Sequence, residues 1–290
     1  MYRFVRAALQ SALVLTLLPS PSAAQSVGPA SGSLVVVGGA LSDPAIVQRF
    51  IQLAGGPDAP IVVIPTAGGG QYDDYCGCLN LLRRNGATNL TVLHTYDPAE
   101  ADTDAFVAPL KEARGVWFPG GRQWRLADSY LGTKTEVELR GVLDRGGVIG
   151  GSSAGASIQG SLLVRGDTRT NTVMLGDHLE GFGYMRNTGI DQHLLQRNRQ
   201  FDMLEVIEAY PDVLGIGLDE NTAIVVQGDR MTVMGQGYVA IYDREAQEDT
   251  GRPFYLLAPG DRFDLARRVP SRPSTTFSPM NVGRSPGGGQ

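Results

Sequence analysis

The chain has little with which to hold a metal ion. Its 290 residues include three histidines and two cysteines. The histidines, His94, His178 and His193, are spread over about a hundred positions without the close spacing of a zinc site. Neither a metal nor another cofactor is expected. Excess positive charge is also missing: 25 Lys and Arg stand against 30 Asp and Glu, which excludes the electrostatic footprint of a nucleic-acid-binding protein. No Walker loop occurs, and the clusters "TAGGG" and "PGG" lack the G-x-G-x-x-G spacing that opens a dinucleotide-binding helix. No internal repeat or heptad is present. The apolar stretch at 7–18 is too short to span a bilayer.

That stretch has another reading. Arg3 and Arg6 give a positive start, the apolar run follows, and Ser22-Ala23-Ala24 offers small residues for cleavage, the three-part layout of a secretory signal over residues 1–24. An exported protein, secreted or periplasmic and cleaved near Ala24, is the expectation. Removing the segment moves the formal charge from −5 to about −7. Cys76 and Cys78, separated only by Gly77, could pair with each other or with a partner thiol, although so small a ring is strained. Asp73 and Asp74 are the only candidate co-ligands nearby. The two cysteines are expected to be structural or incidental.

Apolar β-branched runs recur with helix-like stretches between them. "SLVVVGGA" (33–40), "PIVVIPTAG" (60–68), "NLTVLHT" (89–95), "GVWFPGGRQ" (115–123) and "GVIGG" (147–151) read as buried strands. "DPAIVQRFIQLAGG" reads as a helix with Asp43 as N-cap, Pro44 in its first turn and glycines at its stop. Such alternation predicts an α/β fold with a doubly wound, mostly parallel sheet. Beyond residue 210, β-rich runs separated by Gly-Asp and Gly-Gln turns predict antiparallel strands that extend it. A single domain over 33–265 is expected, followed by a disordered tail over 270–290 rich in Pro, Ser, Gly and Arg.

Ser153 lies in Gly151-Ser152-Ser153-Ala154-Gly155, a G-x-S-x-G pattern. Gly283-Arg284-Ser285-Pro286-Gly287 matches as well, so context must decide. Ser153 follows a predicted buried strand and precedes "AGASIQGSLLV", which can begin a helix. A nucleophile elbow needs that order, with small flanking residues for close strand–helix passage and helix N-terminal N–H groups for an oxyanion. Ser285 has no strand before it, and Pro286 removes the adjacent donor. A serine needs a base. Chain order leaves His178 and His193 open, with a slight edge to His193 for its setting of Asp191 and two arginines.

"GGSSAGA" ahead of "DQHLLQRNRQ", with "FPGGRQ" upstream and "GIGLDENTA" downstream, resembles the cyanophycinase and dipeptidase E family of serine peptidases, in order over about 33–243. The resemblance implies a flavodoxin-like fold similar to class I glutamine amidotransferase domains, with Ser153 as nucleophile and His193 as base. It implies an oxyanion site from the N–H groups of Gly121 and Ala154. Gln123 and Asp191 are assigned to substrate binding, and Asp167 to the triad acid, with Asp177 and Glu180 as rivals. Glu220 in "GLDENTA" is read as capping a loop beneath the site rather than binding substrate.

The implied substrate is cyanophycin, a poly-aspartate with arginine on each side-chain carboxylate, cut to β-Asp-Arg dipeptides. Arg197 and Arg199 would clamp carboxylates. Relatives acting on cyanophycin resemble "DQHFxxRxRxxRL", whereas here Asp202 or its neighbourhood stands where a third arginine would. That departure leaves open a dipeptidase E-like cleavage of aspartyl peptides, or a silent protein that binds acidic ligands. An α/β-hydrolase-type esterase is disfavoured because no histidine follows His193. A homodimer is what the resemblance suggests.

Overall fold

Five consecutive residues, Ser33–Val37, form β1, and each of them is buried. Side chains alternate across a strand, so Leu34 and Val36 enter one core while Val35 and Val37 enter another. A strand covered on both faces has this pattern. The computed structural model describes residues 26–272; the expected secretory segment and the expected tail past residue 272 lie outside the described residues.

Helices and strands then alternate as α1 (Pro44–Ala54), β2 (Ile61–Val63), α2 (Asn80–Arg84), β3 (Leu90–Val92), α3 (Pro98–Ala101), α4 (Asp104–Glu112), β4 (Gly115–Phe118), α5 (Gln123–Tyr130), α6 (Lys134–Asp144) and β5 (Val148–Ser152). The Asp43 carboxylate caps α1 by accepting from the N–H of Ala45, and Gly55 ends it in the left-handed conformation. The strands β3-β2-β4-β5-β1 lie side by side and are all parallel. Phe50 and Ile51 of α1 bury against the Val35/Val37 face, while Leu126 of α5 and Leu139 and Val142 of α6 bury against the other. Each such side chain contributes about 1.5–3 kcal/mol of transfer free energy.

After β5 come α7 (Ala154–Ser157), β6 (Gly160–Leu162), β7 (Met185–Gln192), α8 (Met203–Ala209), β8 (Leu214–Leu218), β9 (Thr222–Gln227), β10 (Arg230–Gly235), β11 (Val239–Tyr242), α9 (Arg244–Thr250), β12 (Tyr255–Leu257), β13 (Arg262–Asp264) and β14 (Val269–Ser271). The antiparallel extension is present: β9, β10, β13 and β14 continue the sheet from the free edge of β1. The stretch after Ser153 begins a helix, as expected, and leaves it after one turn for β6. One expectation needs correction: residues 270–271, assigned to the tail, pair with β13 as part of β14.

Periodicity also gave no sign that the late strands divide between two sheets. β12-β11-β8-β7-β6 form a separate five-stranded sheet, whose Ile190, Ile216 and Val239 pack into the same core as Leu34 and Val36. The chain crosses from this second sheet to the first at residues 219–221, between β8 and β9. That crossing passes over the carboxyl end of β1. Cys76 and Cys78 are paired with each other in the loop after β2.

Candidate active site

The parallel strands deliver their loops to one edge, the place where open α/β sheets bind ligands. Ser153 stands at the end of β5 with φ 57° and ψ −112°, a conformation that a non-glycine residue holds only when its surroundings enforce it. They do so here. The Ser153 N–H donates to the carbonyl of Val37 at 2.9 Å. A Cβ on Gly155 would lie 2.1 Å from the Phe118 carbonyl oxygen, and one on Gly151 would lie 2.3 Å from that of Gly155. Only glycine permits this close passage of turn and strands.

His193 follows β7, on the second sheet, and reaches the same edge. Its N–H donates to the Gly38 carbonyl at 2.8 Å, and its ring lies so close to Gly39 that a Cβ there would be 2.2 Å from Cε1. Its Nδ1 is 2.6 Å from Oε1 of Glu220 and its Nε2 is 3.0 Å from Oγ of Ser153. An ionised carboxylate only accepts, so Nδ1 carries the proton and Nε2 offers its lone pair to the Ser153 hydroxyl. Burial pulls the His193 pKa below its usual value; the Glu220 bond opposes this, and the charges of Arg197 and Arg199 reinforce it. The imidazole is therefore neutral at pH 7, the form a base requires.

A glycine turn lies beside the serine. A Cβ on Gly120 would fall 3.3 Å from Ser153 Cβ and 3.7 Å from its Oγ, so the Gly120-Gly121 turn after β4 lies against the hydroxyl. Gly121 has φ 147°, and a Cβ there would strike the Ala67 carbonyl oxygen at 2.0 Å. Among the described residues, the N–H groups of Gly121 and Ala154 have no acceptor, which leaves both for a developing negative charge.

Several sequence-based assignments are corrected. Asp167 does not reach His193: its Oδ1 accepts from the N–H groups of Arg169 and Thr170 at 3.0 and 2.7 Å, closing its own turn. Asp177 accepts from Thr168 and His178, and Glu180 makes an isolated backbone bridge with Leu162. The His193 partner is Glu220, whose carboxylate meets the imidazole and does not cap a loop. Its signal was an acidic pair, Asp219-Glu220, closing a buried strand at the sheet edge; which nearby acid meets the imidazole depends on the crossing between sheets. His178 is held between Asp128 and Asp177 at 2.7 and 3.1 Å, away from Ser153.

The expected substrate-binding set also divides. Gln123 is 2% exposed, and its Nε2 donates to the carbonyls of Val164 and Arg165, both at 2.9 Å. Asp191 is fully buried and takes both nitrogens of an Arg165 fork. Arg199 is buried and donates to Gln192. These three hold the protein together. Arg197 alone of the four is exposed. Asp202, where a third arginine was expected, is bonded to Arg165 at 2.7 Å, so its charge is compensated within the protein.

Comparison with known proteins places this arrangement. The model of peptidase family S51 matches residues 34–234. A cyanophycinase of Synechococcus elongatus is 31% identical over 257 residues, covering 81% of this chain and 79% of the relative. One from Geminocystis herdmanii is 29% identical over 265 residues, covering 82% and 95%. The crystal structure of a peptidase from an acI-B1 actinobacterium superposes with a TM-score of 0.63 at 23% identity, over 81% of this chain and 97% of that one. The α/β fold class expected from the sequence is the one these structures share.

Proposed function

Because the chain belongs to peptidase family S51 and is a serine-type peptidase, we propose that it hydrolyses cyanophycin to β-Asp-Arg dipeptides through an acyl-enzyme on Ser153. The carrying observation is the relay of 3.0 Å from Ser153 Oγ to His193 Nε2 and 2.6 Å from His193 Nδ1 to Glu220 Oε1. In this mechanism Nε2 takes the hydroxyl proton as Oγ attacks the scissile carbonyl. Glu220 stabilises the imidazolium that forms and fixes its tautomer. The oxyanion is held by the N–H groups of Gly121 and Ala154, and the imidazolium returns its proton to the leaving amine. Water then attacks the ester by the same route in reverse.

The substrate assignment is supported by the cyanophycinases named above and by the exposed Arg197 near the base. Arg197 would hold a free carboxylate of the substrate, such as that of a linked arginine, and its positive charge helps keep the His193 pKa low. The amino-terminal segment supports export, so that the enzyme meets its polymer outside the cell or in the periplasm.

The test is release of soluble β-Asp-Arg from insoluble cyanophycin, identified by mass spectrometry, with Ser153→Ala alongside. Release by the wild type alone is the expected result. Release from neither, with cleavage of short aspartyl peptides by the wild type, would transfer the assignment to a dipeptidase.

A further inference from the structure

Arg165 is 1% exposed, and every N–H of its guanidinium meets an acceptor. Nε donates to Asp191 Oδ1 at 2.7 Å, and Nη2 donates to Asp191 Oδ2 at 2.8 Å and to Asp202 Oδ2 at 2.7 Å. Nη1 donates to the carbonyls of Asn171 and Thr172 at 3.1 and 3.3 Å. Asp191 lies near the end of β7, just before His193, and Asp202 lies immediately before α8. One guanidinium therefore clips both stems of the loop that carries the base. Arg199 closes the loop internally, donating to the Gln192 carbonyl and accepting from the N–H of Asp202.

The main chain of the same residue faces the other half of the site. Arg165 has φ 56°, and its carbonyl, with that of Val164, accepts from Gln123 Nε2. Gln123 opens α5, two residues after Gly121. Next to it, Arg122 Nη2 donates to the carbonyls of Asp167 and Thr170 at 2.6 and 2.7 Å. The segment around Arg165 thus grips the oxyanion turn through its backbone and the base loop through its side chain.

We propose that Arg165, with Asp202 as its outer counter-ion, is a positioning residue that sets the imidazole of His193 and the oxyanion donors relative to one another. Asp202 then acts inward, on the loop, and not on the substrate. The inference rests on the reading of Ser153 as nucleophile. A loose clip lets the imidazole drift from the serine, and displacement of about 1 Å at a reacting group costs on the order of a hundredfold in rate.

The test reads Ser153 itself. Phenylmethylsulfonyl fluoride forms a sulfonyl ester on an activated serine with loss of fluoride, and its rate is followed by intact mass for the full chain. Asp202→Asn and Arg165→Lys should label about tenfold or more slowly, and Asp202→Glu should restore most of the rate, because the longer carboxylate can still reach the guanidinium. Asp243→Asn, which removes the carboxylate charge from the remote pair with Arg268, is the control and should label at the wild-type rate. Asp202 is 40% exposed, so its asparagine variant decides the matter even if Arg165→Lys does not fold. Wild-type labelling of Asp202→Asn, or equal slowing of the control, overturns the proposal. Absence of label from the wild type would remove the nucleophile reading and the proposal with it. On soluble β-Asp-Arg oligomers, Asp202→Asn should lower kcat with KM unchanged; a fall in KM would instead mean that Asp202 repels the substrate.

Discussion

Oε1 of Glu220 lies 2.6 Å from Nδ1 of His193, across 27 residues of sequence and at the point where the chain leaves one sheet for the other. Glu220→Gln should therefore lower kcat by about 10³–10⁴-fold, since the amide no longer supplies the charge that stabilises the imidazolium. Asp167→Asn, by contrast, should cost less than about tenfold, because the amide oxygen still closes the turn at Arg169 and Thr170. Kinetics of the two variants side by side decide the acid; the reverse ranking would return the role to Asp167.

The acid limb of kcat/KM should fall below the ordinary histidine value of 6.5, because burial depresses the pKa of His193. The sign for stability runs the same way. A histidine kept neutral in the folded state contributes stability above its unfolded pKa, and that contribution is lost as pH falls through the folded value. Glu220→Gln removes the carboxylate charge that raises this pKa, so its residual activity should persist to lower pH than the wild type's. A limb shifted to higher pH in that variant would contradict the assignment.

Arg197→Ala should move the same limb the opposite way, to higher pH, because the cation's charge depresses the pKa of His193. The shift should shrink with added salt, since the side chain is exposed. If Arg197 also holds a substrate carboxylate, KM should rise about tenfold. Titration of kcat/KM at low and high salt separates the two effects, and a variant indistinguishable from wild type in both would remove Arg197 from the site.

Gly39→Ala should nearly abolish activity. The new Cβ would lie 2.2 Å from the His193 ring, on a backbone at φ +120°, so the imidazole must move; a loss of at least about a hundredfold in kcat is expected. Thermal melting tracks the accompanying loss of stability. Wild-type activity in this variant would show that the ring tolerates displacement.

Much of the scaffold was legible in the chain. β1 announces burial on both faces because all of Leu34–Val37 is aliphatic, and α1 announces its start through Asp43 and Pro44. Ser153 was legible because the sequence pattern of a buried strand, a tight turn and small neighbours coincides there and does not around Ser285. His193 was legible only with the family resemblance, since spacing alone left His178 open. Residues 154–164 begin the helix that their small residues suit, but no local pattern announces that the chain leaves it after one turn and supplies the edge strand of a second sheet.

What sequence alone determined was local: which runs are strands, where the elbow turns, and which residue types could serve as nucleophile and base. Those properties depend on neighbours within a few positions, through alternation, capping and the steric demands of a tight turn. Only the tertiary structure decided which charges meet. Asp167, Asp191, Arg199 and Glu220 are all candidates by composition, and three of them are occupied by bonds within the scaffold. The separation of the late strands into two sheets brings Glu220 over the end of β1 and against His193. That choice is made by long-range packing of apolar faces, and the polar contacts follow from where the packing leaves each side chain.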